Sequence, residues 1–276
     1  MLRGGFLFGG HFSDGDCYLG GVDNEVDSEV VLKHLDLFSG IGGFALAASW
    51  VWGEEHDIHS FVEIDPFCQK VLKKHWPDVS IHEDVTTYEH DGSNIFLITG
   101  GFPCQDISIA NQNGVGISGE RSGLWKEFKR CIGDIQPRFA IIENASAITF
   151  RGLNTVLSDL AEIGYDAEWD SVRASDIGAY HQRERVFILS YPKGFRQKRI
   201  CQKQIYREWK SQVKSMRIFE RFEKRSDLPT SRFLRSLNGI PNASHRIKAL
   251  GNAIVPQVVV PIMQAIKDLS EANANP

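Results

Sequence analysis

The chain has 276 residues, 42% of them hydrophobic and 24% charged, with a formal net charge of −4. That is room for one large domain, or one domain with a smaller attachment, of ordinary globular composition. No uninterrupted apolar run approaches the roughly 18 to 20 residues of a membrane span, and five cysteines without paired metal spacing point to a reduced, intracellular protein with no metal site. The opening "MLRGGFLFGGHF" reads poorly as a signal peptide, because glycines break its apolar segment. The charge is unevenly placed: residues 191–235 hold 14 Lys or Arg against 4 Asp or Glu, a net of +10, which leaves −14 for the remainder. A basic insert on an acidic body suggests a polyanion-binding surface, although a solvated charged helix gives the same composition.

Residues 1–30, rich in Gly and Asp, read as a disordered tail. From "VVLKHLDLF" onward strand-like and helix-like runs alternate: "HLDLF", "GGFALAASWVW", "IHSFVEI", "DPFCQKVLKKHW", "VSIHEDV", "NIFLITGG", "LWKEFKRCIGDI", "RFAIIEN" and a helical "ITFRGLNTVLSDLAEIG". Such alternation predicts an α/β fold in which helical crossovers join parallel strands. "YDAEWDSVRA" and "RERVFILS" follow closely enough to pair antiparallel at the sheet edge. The expected organisation is a main body over 31–190, a small basic region over 191–235, and a segment over 236–276 that returns to the body, with "GNAIVPQVVVPIMQAIKDL" read as a turn and an apolar helix.

In open α/β sheets ligands bind at the carboxyl ends of the strands, and the candidate residues fall there. The first strand gives way to "DLFSGIGG", whose Gly40 and Gly42 allow a ligand to approach the backbone. Glu63 ends the next strand, placed to accept hydrogen bonds from ribose hydroxyls, and Asp84 ends the third, placed to read an exocyclic amine. Together these describe an adenosine pocket that suits NAD or S-adenosylmethionine.

"PCQ" decides between the two. Hydride transfer has no use for a cysteine nucleophile beside the pocket, whereas methylation of an unreactive ring carbon does. Carbon 5 of cytosine attacks a sulfonium methyl only after a thiolate such as that of Cys104 has added to carbon 6. Glu143, closing "RFAIIEN", is placed to engage ring nitrogen 3, with burial raising its pKa into a useful range; "EN" at a strand end is also a common helix cap. Arg183 and Arg185, two residues apart, share a strand face, where one reaches the cytosine carbonyl and the other a phosphate or the carboxylate.

The ordered set "DLFSGIGG", "PCQ", "EN", "RERVF" and "GNAIVPQVV" resembles the DNA (cytosine-5)-methyltransferase family over about residues 31 to 268. The resemblance implies a Rossmann-like S-adenosylmethionine-dependent methyltransferase fold with a small target-recognition lobe, S-adenosylmethionine as cofactor and double-stranded DNA as substrate. It implies Cys104 as nucleophile, Glu143 as the cytosine-binding acid, and Arg183 with Arg185 as the paired active-site arginines. For the cofactor it implies Phe38 stacked on adenine, Glu63 on the ribose, and Asp84 with Val85 at the adenine edge, with Ser39, Gly40, Gly42, Ile64, Pro103, Leu124 and Asn252 completing the pocket. Residues 105–123 correspond to a mobile loop that closes over DNA, with Gln105 and Arg121 among its DNA contacts. Arg196, Gln197, Lys198 and Arg199 of the basic insert are candidates for major-groove contact. Tyr180 and His181 stand where the family usually has proline and glutamine, and Ala145 where it has valine; the lobe of about 40 residues is small for target recognition. A cognate restriction endonuclease is the expected partner and a cytoplasmic monomer of bacterial or phage type the expected form, with methylation of tRNA and a lapsed DNA-binding relative as alternatives.

Overall fold

The computed structural model describes residues 31–103, 123–177, 179, 181–195 and 243–274. Within them the chain runs β1 (Leu32–Leu37), α1 (Gly43–Trp52), β2 (His56–Val62), α2 (Pro66–His75), β3 (Ser80–His82), β4 (Leu97–Gly100), α3 (Trp125–Ile135), β5 (Phe139–Ala145), α4 (Ile148–Arg151), α5 (Leu153–Glu162), β6 (Tyr165–Arg173), β7 (Glu184–Pro192), α6 (Ala243–Asn252) and α7 (Pro256–Ala274).

The strands form a sheet of order β3-β2-β1-β4-β5-β7-β6, parallel except for β7, which runs antiparallel to both neighbours. The alternation of strands and helices read from the sequence is therefore the architecture observed. Its central strands are covered on both faces; β4 and β5 are largely apolar, while β1 also carries His34 and Asp36, which meet Thr99 of β4 in a buried hydrogen-bonded set. Side-chain alternation sends Leu35, Leu37, Ile98 and Ile142 into one core with Phe128 and Leu160, and Leu97, Phe139 and Ile141 into the other with Phe44, Val259 and Ile262. The strand order reverses between β1 and β4, so the loops leaving their carboxyl ends diverge and open a crevice.

Four local readings are corrected. The single helix expected over "ITFRGLNTVLSDLAEIG" is two, α4 and α5, because Gly152 between them, at φ 164° and ψ −5°, leaves the helical region. "VSIHEDV" is a strand only over Ser80–His82; Asp84 lies beyond it and caps the short turn Val85–Thr87. Arg183 precedes β7 instead of opening it. Gly251 and Asn252 belong to the last turn of α6, and the break in the chain falls at Ala253–Val255. The stretch Ser244–Glu271 reaches the length and mean hydropathy, 1.5, of a membrane span. It is interrupted at that break, however, and Val258, Val259, Ile262, Met263 and Ile266 are spent in the core against α1.

Candidate functional site

The crevice holds a cavity of about 330 Å³, within the range of small-molecule sites. Its walls bring together Phe38, Gly40, Glu63, Ile64, Asp84, Val85, Pro103, Leu124, Glu143, Arg183, Arg185 and Asn252, twelve residues that the sequence reading had singled out. Ser39 and Gly42 do not join them. The Ser39 hydroxyl is turned inward and donates to the Asp36 carbonyl. Gly42 faces a neighbouring, largely apolar cleft of about 510 Å³; its φ is 82°, and a β-carbon there would fall 2.5 Å from the Trp76 ring. Residues 1–30 lie outside the described residues, as do Cys104, Gln105, Arg121, Tyr180, Arg196, Gln197, Lys198 and Arg199.

At one end of the cavity, the turn after β1 places Phe38 in the left-handed region, with φ 52°. For a bulky side chain that conformation is sparsely populated and is held only by its surroundings, here the stack of Phe38 on Phe128 at 6.2 Å. Glu63 sits directly after β2. The Gly40 N–H donates to Oε2 at 2.7 Å and the Asp65 N–H to Oε1 at 2.7 Å. Burial raises the Glu63 pKa, opposed by those two amides, and each oxygen keeps acceptor capacity toward the cavity. Asp84 is shifted the other way, its carboxylate favoured by the Thr86 N–H at 2.8 Å.

This end fits an adenosine group on two observations. Beyond its chain neighbours, no atom of the described residues lies within 4 Å of the place a Gly40 β-carbon would take, which leaves the backbone open to close approach. Ile64, at the rim, is 73% exposed, an apolar plate open to the cavity.

At the other end, β5 presents Glu143, with β4 leading to Gly101 and Pro103. Arg185 Nε stands 2.8 Å from the buried Glu143 Oε1, an ion pair at hydrogen-bonding distance whose geometry falls short of a well-directed hydrogen bond. Desolvation raises the Glu143 pKa, and the charges of Arg185 and Arg183 oppose the rise. Burial thus favours the protonated carboxyl, and the two guanidinium groups favour its ionised form.

The approach to Glu143 depends on residues that the sequence reading missed. A β-carbon on Gly101 would fall 2.6 Å from Glu143 Oε2, so only glycine leaves the carboxylate its place. Asn144 is buried, and its Nδ2 donates to the Phe102 carbonyl at 3.1 Å, tying the segment that leads into Pro103 to β5. The paired glycines of "NIFLITGG" carried a signal for close approach; the bond from Asn144 carried none, since the partner is a backbone oxygen 42 residues away. Asp65, Cys68, Glu83, Lys248 and Ala249 also line the cavity. None of these was singled out in the sequence; the one signal was the Asp-Pro pair that starts α2.

The sequence pattern of the C-5 cytosine-specific DNA methylase family matches residues 32–238. The chain is 34% identical over 166 residues to type II methyltransferase M.CviJI of Paramecium bursaria Chlorella virus IL3A, a match covering 59% of this chain and 44% of that protein. It is 34% identical over 167 residues to type II methyltransferase M2.BsuMI of Bacillus subtilis strain 168, covering 58% and 42%. The chain thus spans less than half the length of these relatives. The S. pombe Dnmt2 methyltransferase structure superposes with a TM-score of 0.51 at 19% identity, covering 64% of this chain and 53% of that one, which shows a shared fold.

Proposed function

Because the chain belongs to the C-5 cytosine-specific DNA methylase family, we propose that it transfers a methyl group from S-adenosylmethionine to carbon 5 of cytosine in double-stranded DNA. The observation that carries the reading is Glu143, a carboxyl whose pKa burial raises and which pairs with Arg185 in the same cavity as Glu63 and Phe38. A flipped base entering the cavity presents ring nitrogen 3 to this carboxyl.

The cofactor, bound between Phe38, Glu63, Asp84 and Val85, supplies the electrophilic methyl and its positive sulfonium. Cys104 follows Pro103, which lines the cavity, and its thiolate adds to carbon 6 of the base. The electron pair displaced from the 5,6 double bond is drawn toward ring nitrogen 3, where protonated Glu143 donates a hydrogen bond or its proton. Carbon 5, now enamine-like, takes the methyl with release of a neutral thioether, and ring nitrogen 3 returns any proton it received to Glu143. Loss of the carbon 5 proton to a base re-forms the double bond and expels the thiolate. Arg183 and Arg185 hold the base oxygen or phosphate and stabilise Glu143 when it ionises.

The basic stretch 191–235 fits phosphate contacts that offset the cost of unstacking, a few kcal/mol. An intracellular setting and a restriction endonuclease acting on the same site accord with relatives named as type II methyltransferases, and methylation of one cytosine at a time requires only a monomer.

The test is methylation of duplex DNA and of tRNA with labelled cofactor, followed by identification of the modified base. 5-Methylcytosine in duplex DNA is expected. Label confined to tRNA, or another modified base, would refute the reading.

A further inference from the structure

Helix α6 is a wall of the cavity with little burial to hold it. Of residues 244–252 only Ala249 is buried, yet Lys248, Ala249 and Asn252 all line the cavity. A helix that covers so little apolar surface gains little from packing, and its seat depends on the specific contacts it makes. Two are directed at the start of α2: the His245 and Phe67 rings lie 5.8 Å apart, and Lys248 Nζ stands 2.9 Å from Asp65 Oδ2.

Asp65 makes three connections at once. Its Oδ1 accepts the Phe67 N–H at 2.9 Å as the cap of α2, its own N–H holds Glu63 Oε1, and its Oδ2 takes Lys248. One residue therefore joins the helix cap, the carboxylate proposed for the ribose, and a lysine 183 residues along the chain.

We propose that Lys248 is a positioning residue for cofactor binding: through Asp65 it seats α6 against the start of α2 and completes the wall that carries Asn252. This rests on reading the cavity as the S-adenosylmethionine site. Lys248 and Asp65 are 64% and 23% exposed, so the link is open to screening, and its effect falls on cofactor affinity and not on the methyl-transfer step.

The test compares the parent chain with Lys248→Met, Asp65→Asn, the double variant and Lys248→Arg. Asparagine keeps the helix cap while removing the charge. Dissociation constants for S-adenosylmethionine are measured by calorimetry at low and high salt, and α6 amide exchange is measured on the free proteins.

Lys248→Met is expected to weaken binding about two- to fivefold at low salt and less near ~1 M salt, where the screening length shrinks to about 3 Å. The loss should fall on the cofactor KM and not on kcat. Asp65→Asn should act alike, the double variant should be no weaker than the weaker single one, Lys248→Arg should recover most of the affinity, and α6 should exchange faster in Lys248→Met. Unchanged affinity in Lys248→Met, or single effects that multiply in the double variant, would overturn the proposal. If the parent itself binds no cofactor, the reading of the cavity fails. Exchange of α6 then decides the seat by itself: faster in Lys248→Met upholds it, unchanged overturns it.

Discussion

Two buried carboxylates stand at opposite ends of one cavity, and they are held by different means. Glu63 receives a backbone N–H on each oxygen, while Glu143 is met by the guanidinium charges of Arg185, 2.8 Å from Oε1, and of Arg183. In both, burial pushes the pKa up. Fixed amides cannot follow a moving proton, so Glu63 is suited to remain an acceptor. Guanidinium groups stabilise the ionised form of Glu143 while its surroundings favour the neutral one, which suits a group that gives up and regains a proton. Burial alone thus does not assign a role; the kind of donor facing the carboxyl does.

Substitutions can break that contrast. The largest effect is expected from Glu143→Gln, which keeps the shape and removes the exchangeable proton: the methylation rate should fall about 10²- to 10⁴-fold while the cofactor still binds. Equal loss of cofactor binding would mean the two ends do not act separately. Gly101→Ala comes next, since its β-carbon would displace the Glu143 carboxylate; a loss of roughly 10²-fold in rate is expected, as for a misplacement near 1 Å. A rate within a few-fold of the parent would show that the carboxylate tolerates the shift.

Arg185→Met tests the charge on Glu143 through stability. Because the folded pKa is raised, the fold binds this proton to higher pH than the unfolded chain does, so ionisation costs stability as pH climbs above the ordinary carboxylate range. Loss of Arg185 raises the folded pKa further. The deficit of the variant should therefore widen as pH rises above the ordinary carboxylate range, in denaturant melts. A deficit independent of pH would leave Arg185 only a packing role. The smallest effect is expected for Glu63→Gln, which turns an amide NH₂ toward one of two backbone donors: about tenfold in cofactor affinity, measured by calorimetry, with little change in rate at saturation. A large fall in that rate would erase the distinction between the two carboxylates.

How much of this could be read from the chain follows from how each part is built. β4 and β5 are buried on both faces and appear as apolar runs, while β1, LKHLDL, is buried as deeply but shows through its leucines only; the residues at the carboxyl ends follow from those strands. Phe38, Glu63, Glu143 and Asn252 were legible for this reason, or through short ordered motifs. The antiparallel pairing of β6 with β7 was legible from proximity, but not that β7 enters between β5 and β6, because pairing partners leave no mark on either strand. Asn144, Gly101 and Lys248 act through backbone atoms or residues distant in sequence, and only the folded chain brings those together.

The central claim is covalent attack by Cys104 on a flipped cytosine held by Glu143. It is met most directly by incubating the chain with S-adenosylmethionine and duplexes carrying 5-fluorocytosine in varied sequence contexts, since fluorine blocks the proton loss that frees the enzyme. The account predicts a denaturation-resistant adduct, mapped to Cys104 and absent in Cys104→Ala. An adduct that persists in Cys104→Ala, or none in any context from a chain shown to bind the cofactor and to methylate unmodified DNA, would contradict it.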